Sequence, residues 1–193
     1  EQGGSMAIRK ALSYSKKVNR PYTRISKAKA RAYIKVNPPN KIVKYNLGNQ
    51  RAFEDGKLPF VLRLVSDEML VIRDTAIESG RMVLTKNLEN KLPGKFYLWV
   101  KIYPHHILRN NKAAAGAGAD RLSTGMKQSF GIIEGRAARV LGGQELFMVA
   151  CDSESSVHVV RQILNMSKSK LPCRTRVTFE KLAEKIPMPT PHP

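Results

Sequence analysis

Phe60-Val61-Leu62-Arg63-Leu64-Val65, then Thr75, Ile77, Glu78, Leu84 and Leu88, then Phe96-Tyr97-Leu98-Trp99-Val100-Lys101-Ile102-Tyr103 make one passage in which the hydrophobic period changes twice. The first six residues read as a strand. Thr75 followed three residues later by Glu78 is a capping-box signature that opens a helix, and Ile77, Leu84 and Leu88 give that helix one apolar face. Pro93-Gly94 ends it. Over residues 96–103 the period is two, with Phe96, Leu98, Val100 and Ile102 on one side of a strand and Tyr97, Trp99, Lys101 and Tyr103 on the other.

A second strand-helix-strand passage follows: residues 145–151 as strand, a helix from Asp152 or Ser153 with Pro172 as terminator, and residues 173–179 as strand. Lys91-Leu92-Pro93-Gly94 precedes one closing strand and Lys170-Leu171-Pro172-Cys173 the other, a hint of pseudo-repetition. Residues 136–141 lead into residues 145 onward through Gly142-Gly143, whose freedom to take positive φ favours a hairpin. The expected fold class is α+β, a mixed sheet with two packed helices. This core is expected over residues 59–185, with a loop at 110–121 and an extended proline-rich tail at 186–193.

Upstream the composition changes. Residues 6–53 hold 13 Lys or Arg and no Asp or Glu, interleaved with Tyr14, Tyr22, Tyr33 and Tyr45 and broken by Pro21, Pro38 and Pro39. Like charges repel and few aliphatic residues offset the entropy of ordering, so residues 6–58 are expected to be a basic, irregular arm that orders against RNA. Residues 1–5, ahead of Met6, are read as a remnant or a native extension.

The chain carries 34 Lys and Arg against 15 Asp and Glu, a net charge of +19. Such self-repulsion calls for a polyanion, and nucleic acid is the default. No apolar run approaches the ~20 residues of a membrane span, and no secretory signal opens the chain, so an intracellular protein without a membrane partner is expected. Cys151 and Cys173 lack zinc-site spacing. They read as buried free thiols, with a disulfide between them as the alternative. No metal or cofactor is expected.

The stretch from Ala113 through Gly116 and Gly118 to Asp120 resembles phosphate-cradling loops only superficially. No Gly-Lys-Ser/Thr follows, Arg121 stands where a dinucleotide fingerprint needs glycine, and no acidic residue lies about 20 positions on. It reads as a small-residue loop with cationic roots at Arg109, Lys112, Arg121 and Lys127. His105 and His106 point to opposite faces of an extended chain, and His158 has no metal-binding neighbours at ligand spacing. No nucleophile elbow or carboxylate pair occurs, so no enzyme and no small-molecule substrate are expected.

Ile107-Leu108-Arg109-Asn110-Asn111-Lys112, then Gly116-Ala117-Gly118-Ala119-Asp120-Arg121-Leu122-Ser123-Thr124-Gly125-Met126, then Gly131 and Arg136-Ala137-Ala138-Arg139-Val140 resemble the signature of the ribosomal protein L-ten-e (QM) family. This is the archaeal and eukaryotic counterpart of bacterial ribosomal protein L-sixteen. Arg20-Pro21-Tyr22-Thr23-Arg24, Lys41-Ile42-Val43 and Asn46-Leu47-Gly48-Asn49 resemble the archaeal members. The Ala113 to Ala115 run and the tail depart from the pattern. The resemblance implies an α/β-hammerhead-like fold in the large ribosomal subunit of the cytoplasm. It implies contacts with rRNA, aminoacyl-tRNA and neighbouring ribosomal proteins, and a loop directed toward the peptidyl-transferase centre. The expected RNA contacts are Arg9, Lys10, Lys16, Lys17, Arg20, Tyr22, Arg24, Lys27, Lys29 and Arg31 in the arm, and Arg109, Asn111, Lys112, Arg121, Lys127, Arg136 and Arg139 around the loop. Ala113, Gly116, Gly118 and Asp120 are the expected loop residues near that centre. A scaffold that binds acidic proteins through the same charge is the competing reading.

Overall fold

The computed structural model describes residues 37–110 and 132–182. In chain order these hold β1 (Asn46–Gly48), α1 (Gln50–Glu54), β2 (Phe60–Ser66), β3 (Leu70–Arg73), α2 (Asp74–Lys91), β4 (Phe96–Val100), β5 (His106–Asn110), β6 (Ile132–Val140), β7 (Glu145–Cys151), α3 (Glu154–Ser167) and β8 (Thr175–Lys181). The α+β class is as expected, with the strands divided between two antiparallel sheets. Sheet A runs β1-β4-β7-β2-β8 and sheet B runs β3-β6-β5.

Within sheet A the order β4-β7-β2-β8 interleaves the two passages. The first joins β2 to β4 across β7, and the second joins β7 to β8 across β2. Exchanging the central pair exchanges the outer pair as well, the arrangement of a split β-α-β repeat. The pseudo-repetition hinted at by the two Lys-Leu-Pro stretches therefore has a counterpart in topology, and Leu92 and Leu171 are both buried below their helices. Helices α2 and α3 cover the inner face of sheet A, where Ile77, Leu84, Leu88, Ile163 and Leu164 meet Leu62, Leu64, Leu98, Phe147 and Val149. Ile72, Ala138 and Val140 of sheet B join the same core. Gly80 allows the close contact between α2 and β7, since a Cβ there would lie 3.3 Å from the Phe147 ring.

The Gly142-Gly143 turn is a corner and not the expected hairpin. Gly143 has φ +82, as its role in a turn requires, but β6 pairs with β3 and β5 while β7 pairs with β2 and β4. Two chain segments run antiparallel through both sheets, one as β2-β3 and the other as β6-β7. They bend together where Ser66 N–H donates to the Gln144 carbonyl (2.9 Å) and Gly143 N–H to the Ser66 carbonyl (2.7 Å).

Other expectations are corrected locally. Thr75 does not cap α2: the helix begins at Asp74, so Thr75 is already helical, and no side chain caps at Arg73. The Asp74 carboxylate takes the Thr75 N–H instead (2.8 Å), and Glu78 turns to Arg81. Helix α3 ends at Ser167 and passes into a 3-10 turn, Lys168–Lys170, before Pro172 is reached. β4 stops at Val100, and Tyr97, on its outward side, is buried under α1 by Phe53, whose ring stacks at 5.1 Å. The closing strand starts at Thr175, leaving Cys173 outside it; both cysteines are free thiols, so the disulfide alternative is set aside. The core reaches upstream of residue 59. Ile42 is buried in it, β1 pairs with β4, and α1 with Leu58 covers part of the outer face of sheet A. Residues 42–58 therefore leave the expected irregular arm, because most of their few apolar side chains find the core, exposed Val43 apart.

Candidate nucleic-acid interface

The expected arm cations from Arg9 to Arg31 lie outside the described residues, as do Asn111, Lys112, Ala113, Gly116, Gly118, Asp120, Arg121 and Lys127. The roots of both segments are within them. The chain leaves sheet B at Asn110 and re-enters it at Ile132, which pair across the β5-β6 ladder, so the intervening residues start and finish at one end of that sheet. Arg109 sits beside an irregularity in the ladder, opposite Ile133. Arg139 is exposed on β6, opposite Val71, and has no ion-pair partner among the described residues.

Arg136 is differently placed. It is half-buried, its Nε donates to the Pro38 carbonyl (2.6 Å), and its guanidinium reaches toward the Tyr103 hydroxyl at 3.5 Å. This ties β6 to the segment 37–45, a strap by which the basic arm meets the core. Further along the strap, Lys41 N–H donates to Asp74 (3.3 Å) and Val43 N–H to Glu78 (3.4 Å), while Ile42 N–H is taken by the Asn40 side chain (3.0 Å). The hydrogen bond from Arg81 holds the Glu78 carboxyl below the usual range, against its burial. Tyr45 stacks on Tyr103 (5.4 Å between centroids), and Tyr103 meets His105 (4.4 Å); burial raises the Tyr45 phenol. His105 is exposed and His106 buried, on opposite sides of the chain as expected. His158 is exposed on α3.

Sequence reasoning passed over Trp99 and Lys101. The chain's one tryptophan remains 37% exposed on the outer side of β4, with the Lys101 Nζ 3.4 Å from its ring centroid. The signal was in the alternation of residues 96–103, which puts both on the outward side. Toward the β8 edge of sheet A the arginines are neutralised internally: Arg63 pairs with Glu145 (3.1 Å) and with Glu180, Arg174 with Glu68 (3.5 Å) and Arg176 with Asp67 (3.4 Å). The two edges of the sheet therefore differ in electrostatic character.

The sequence profile of the family described as Ribosomal protein L16p/L10e matches residues 19–178. The chain belongs to that family. Relatives called "Large ribosomal subunit protein uL16" support the assignment. The one from Thermofilum pendens is 40% identical over 176 residues, 91% of this chain and 98% of its own. The one from Methanococcus aeolicus is 37% identical over 183 residues, 94% of this chain and 99% of its own. That from Archaeoglobus fulgidus is 36% identical over 174 residues, 90% of this chain and 94% of its own. The family match begins upstream of the described core, takes in most of the basic arm and all of residues 111–131, and ends within β8.

Proposed function

We propose that the chain, as a constituent of the large ribosomal subunit, works by geometry: its arm neutralises rRNA phosphates, and its loop helps to position aminoacyl-tRNA near the peptidyl-transferase centre. Family membership makes it a structural protein of the cytoplasmic ribosome and not an enzyme. Neighbouring ribosomal proteins complete its surroundings. The observation that carries the loop's role is the closure of β5 on β6 at Asn110 and Ile132, which fixes both ends of the intervening segment to a packed sheet. A segment rich in glycine and alanine has little side-chain chemistry to offer, but its backbone approaches RNA closely. Anchored ends turn that approach into a defined position. Arg109 at this end, Arg136 further along β6 and Arg139 near the far end of that strand, with the arm cations and those of the loop, are the proposed phosphate contacts.

The test is to shorten the loop within residues 110–120 while keeping Arg109 and Arg121, reconstitute subunits, confirm incorporation by sedimentation, and measure aminoacyl-tRNA binding and peptide formation. Normal incorporation with a defect in tRNA accommodation is expected. Wholly normal kinetics, or failed incorporation, would overturn the positional role. The competing scaffold reading is separated by salt titration: phosphate contacts lose affinity steeply with salt, whereas a packed interface with an acidic protein responds weakly.

A further inference from the structure

The cover on the outer face of sheet A runs along one row and reaches Met148 in the next, but stops short of Trp99. Tyr97, Ala150 and Val61 lie side by side across β4, β7 and β2, under Phe53, Leu58 and Leu182. In the next row, Trp99 stands between Asn46 and Met148, and exposure rises from 4% at Tyr97 to 37% at Trp99. The other ring exposed on this strand and its continuation, Tyr103, has an aromatic partner, as does buried Tyr97. Among the described residues no aromatic ring stacks on Trp99. What lies over it is the ammonium of Lys101, a mobile, hydrated group on a flexible stem, and not a side chain locked in packing.

Charge identifies the occupant. Residues 2–53 and 90–119 contain no Asp or Glu, and the pairing of Asn46 with Trp99 brings these two acid-free segments side by side. Lys44 and Arg51, before and after β1, are exposed and have no acidic partner among the described residues. The opposite edge, at β8, has its arginines already paired with acids of this chain. The nearest acids are Glu54, at the end of α1 and felt by Tyr97, and Glu145, held by Arg63. An exposed aromatic face beside the unpaired cations Lys44 and Arg51 matches the way single-stranded nucleic acid is held, by stacking on the base and charge on the phosphate. Resting on the RNA-binding reading above, we propose that Trp99 is a stacking platform for an unpaired RNA base, with Lys101 swinging from the ring to the flanking phosphate.

Because the chain holds a single tryptophan, its emission reports this face directly. The full chain is titrated at about 200 mM salt with end-labelled oligoadenylate and with an RNA duplex of equal length, following RNA anisotropy for binding and Trp99 emission for stacking. Oligoadenylate is expected to quench Trp99 at saturation and the duplex to bind with little quenching. Trp99→Ala should weaken oligoadenylate binding roughly 5- to 150-fold, with Trp99→Phe recovering most of the loss. Anisotropy showing oligoadenylate bound with unchanged Trp99 emission would overturn this inference while leaving the RNA-binding reading intact. Polyglutamate perturbing the emission as strongly as oligoadenylate would overturn it in favour of an acidic protein. Failure of both RNAs to bind would overturn both readings.

Discussion

Gly48 closes β1 at the point where the chain turns from the strand into α1, and Gly48→Ala is expected to destabilise the protein by about 2–4 kcal/mol. Its φ is +89, and a Cβ would lie 2.3 Å from the Phe96 carbonyl oxygen. A positive φ costs a side-chain-bearing residue about 1–2 kcal/mol. The overlap is with backbone, so no rotamer relieves it and β1 must move away from β4. That movement breaks the bond from Asn49 N–H to the same Phe96 oxygen (2.9 Å), worth about 0.5–1.5 kcal/mol, and loosens the Phe53-Tyr97 stack, worth a similar amount.

Gly56→Ala supplies the internal control. Its φ is +80, but nothing lies within 4 Å of the added carbon, so only the conformational part of the cost applies. Urea unfolding followed by circular dichroism should place the Gly48→Ala midpoint roughly 1 M or more below the parent, with Gly56→Ala between the two. Trp99 emission, two residue pairs from the altered strand end, should shift before the main transition. Equal midpoints for the two variants would refute the argument, because the close approach to Phe96 would then contribute nothing.

Arg139→Ala should lower the slope of log affinity against log salt by about 0.7–0.9 and leave the fold unchanged. Arg136→Ala should lower the slope similarly and also speed amide exchange in residues 38–45, since its bond to Pro38 is lost; unaltered exchange there would remove the anchor. Because the Glu78 carboxyl is held below its ordinary value, chiefly by Arg81, its contribution is present above the unfolded-state carboxylate range and lost as pH falls through the folded pKa. Glu78→Gln should flatten the acid limb of the stability profile, and an unchanged limb would count against the pairing. Burial, then the Asp152 charge, pushes the Cys151 thiol up to about 12, so at pH 8 it should react with a thiol reagent only on unfolding. Rapid labelling of Cys151 in the native protein would contradict its burial.

Where one segment's own periodicity settles the matter, the sequence was sufficient. Ile77, Leu84 and Leu88 are wholly buried on α2, and β2 and β7 run along the near-continuous apolar stretches that mark them as strands. Apart from boundary shifts of a few residues and the cap at Asp74, the misreadings involve a distant partner. Gly142-Gly143 permits a reversal, but whether β6 and β7 pair depends on β3, β5, β2 and β4 competing for the same edges. Tyr97 follows its alternation outward and is buried because α1, nearly fifty residues upstream, folds over it. Ile42 and Val43 stand together between Lys41 and Lys44, with no period to mark which of the two is core. The family signature around residues 107–140 identified the protein without revealing that Arg136 also anchors the strap or that Trp99 stands open, since a motif carries residue identities and no account of what lies beside them.

The strap raises a physical question about how a polycation is fastened to its own domain. Burying Ile42 contributes about 1.5–3 kcal/mol, a weak hold against repulsion among the arm's charges. Two of the chain's 15 acids, Asp74 and Glu78, stand in the first turns of α2, where the helix dipole favours negative charge whether or not the arm is present. They could have paired with the ammonium groups of Lys41 and Lys44. They accept the backbone N–H groups of Lys41 and Val43 instead, and neither lysine has an ion-pair partner among the described residues. Fastening through the backbone fixes the direction in which the arm leaves the core and leaves its side-chain charge intact. Anchoring through the lysine side chains would have neutralised two of the arm's charges at its junction with the core.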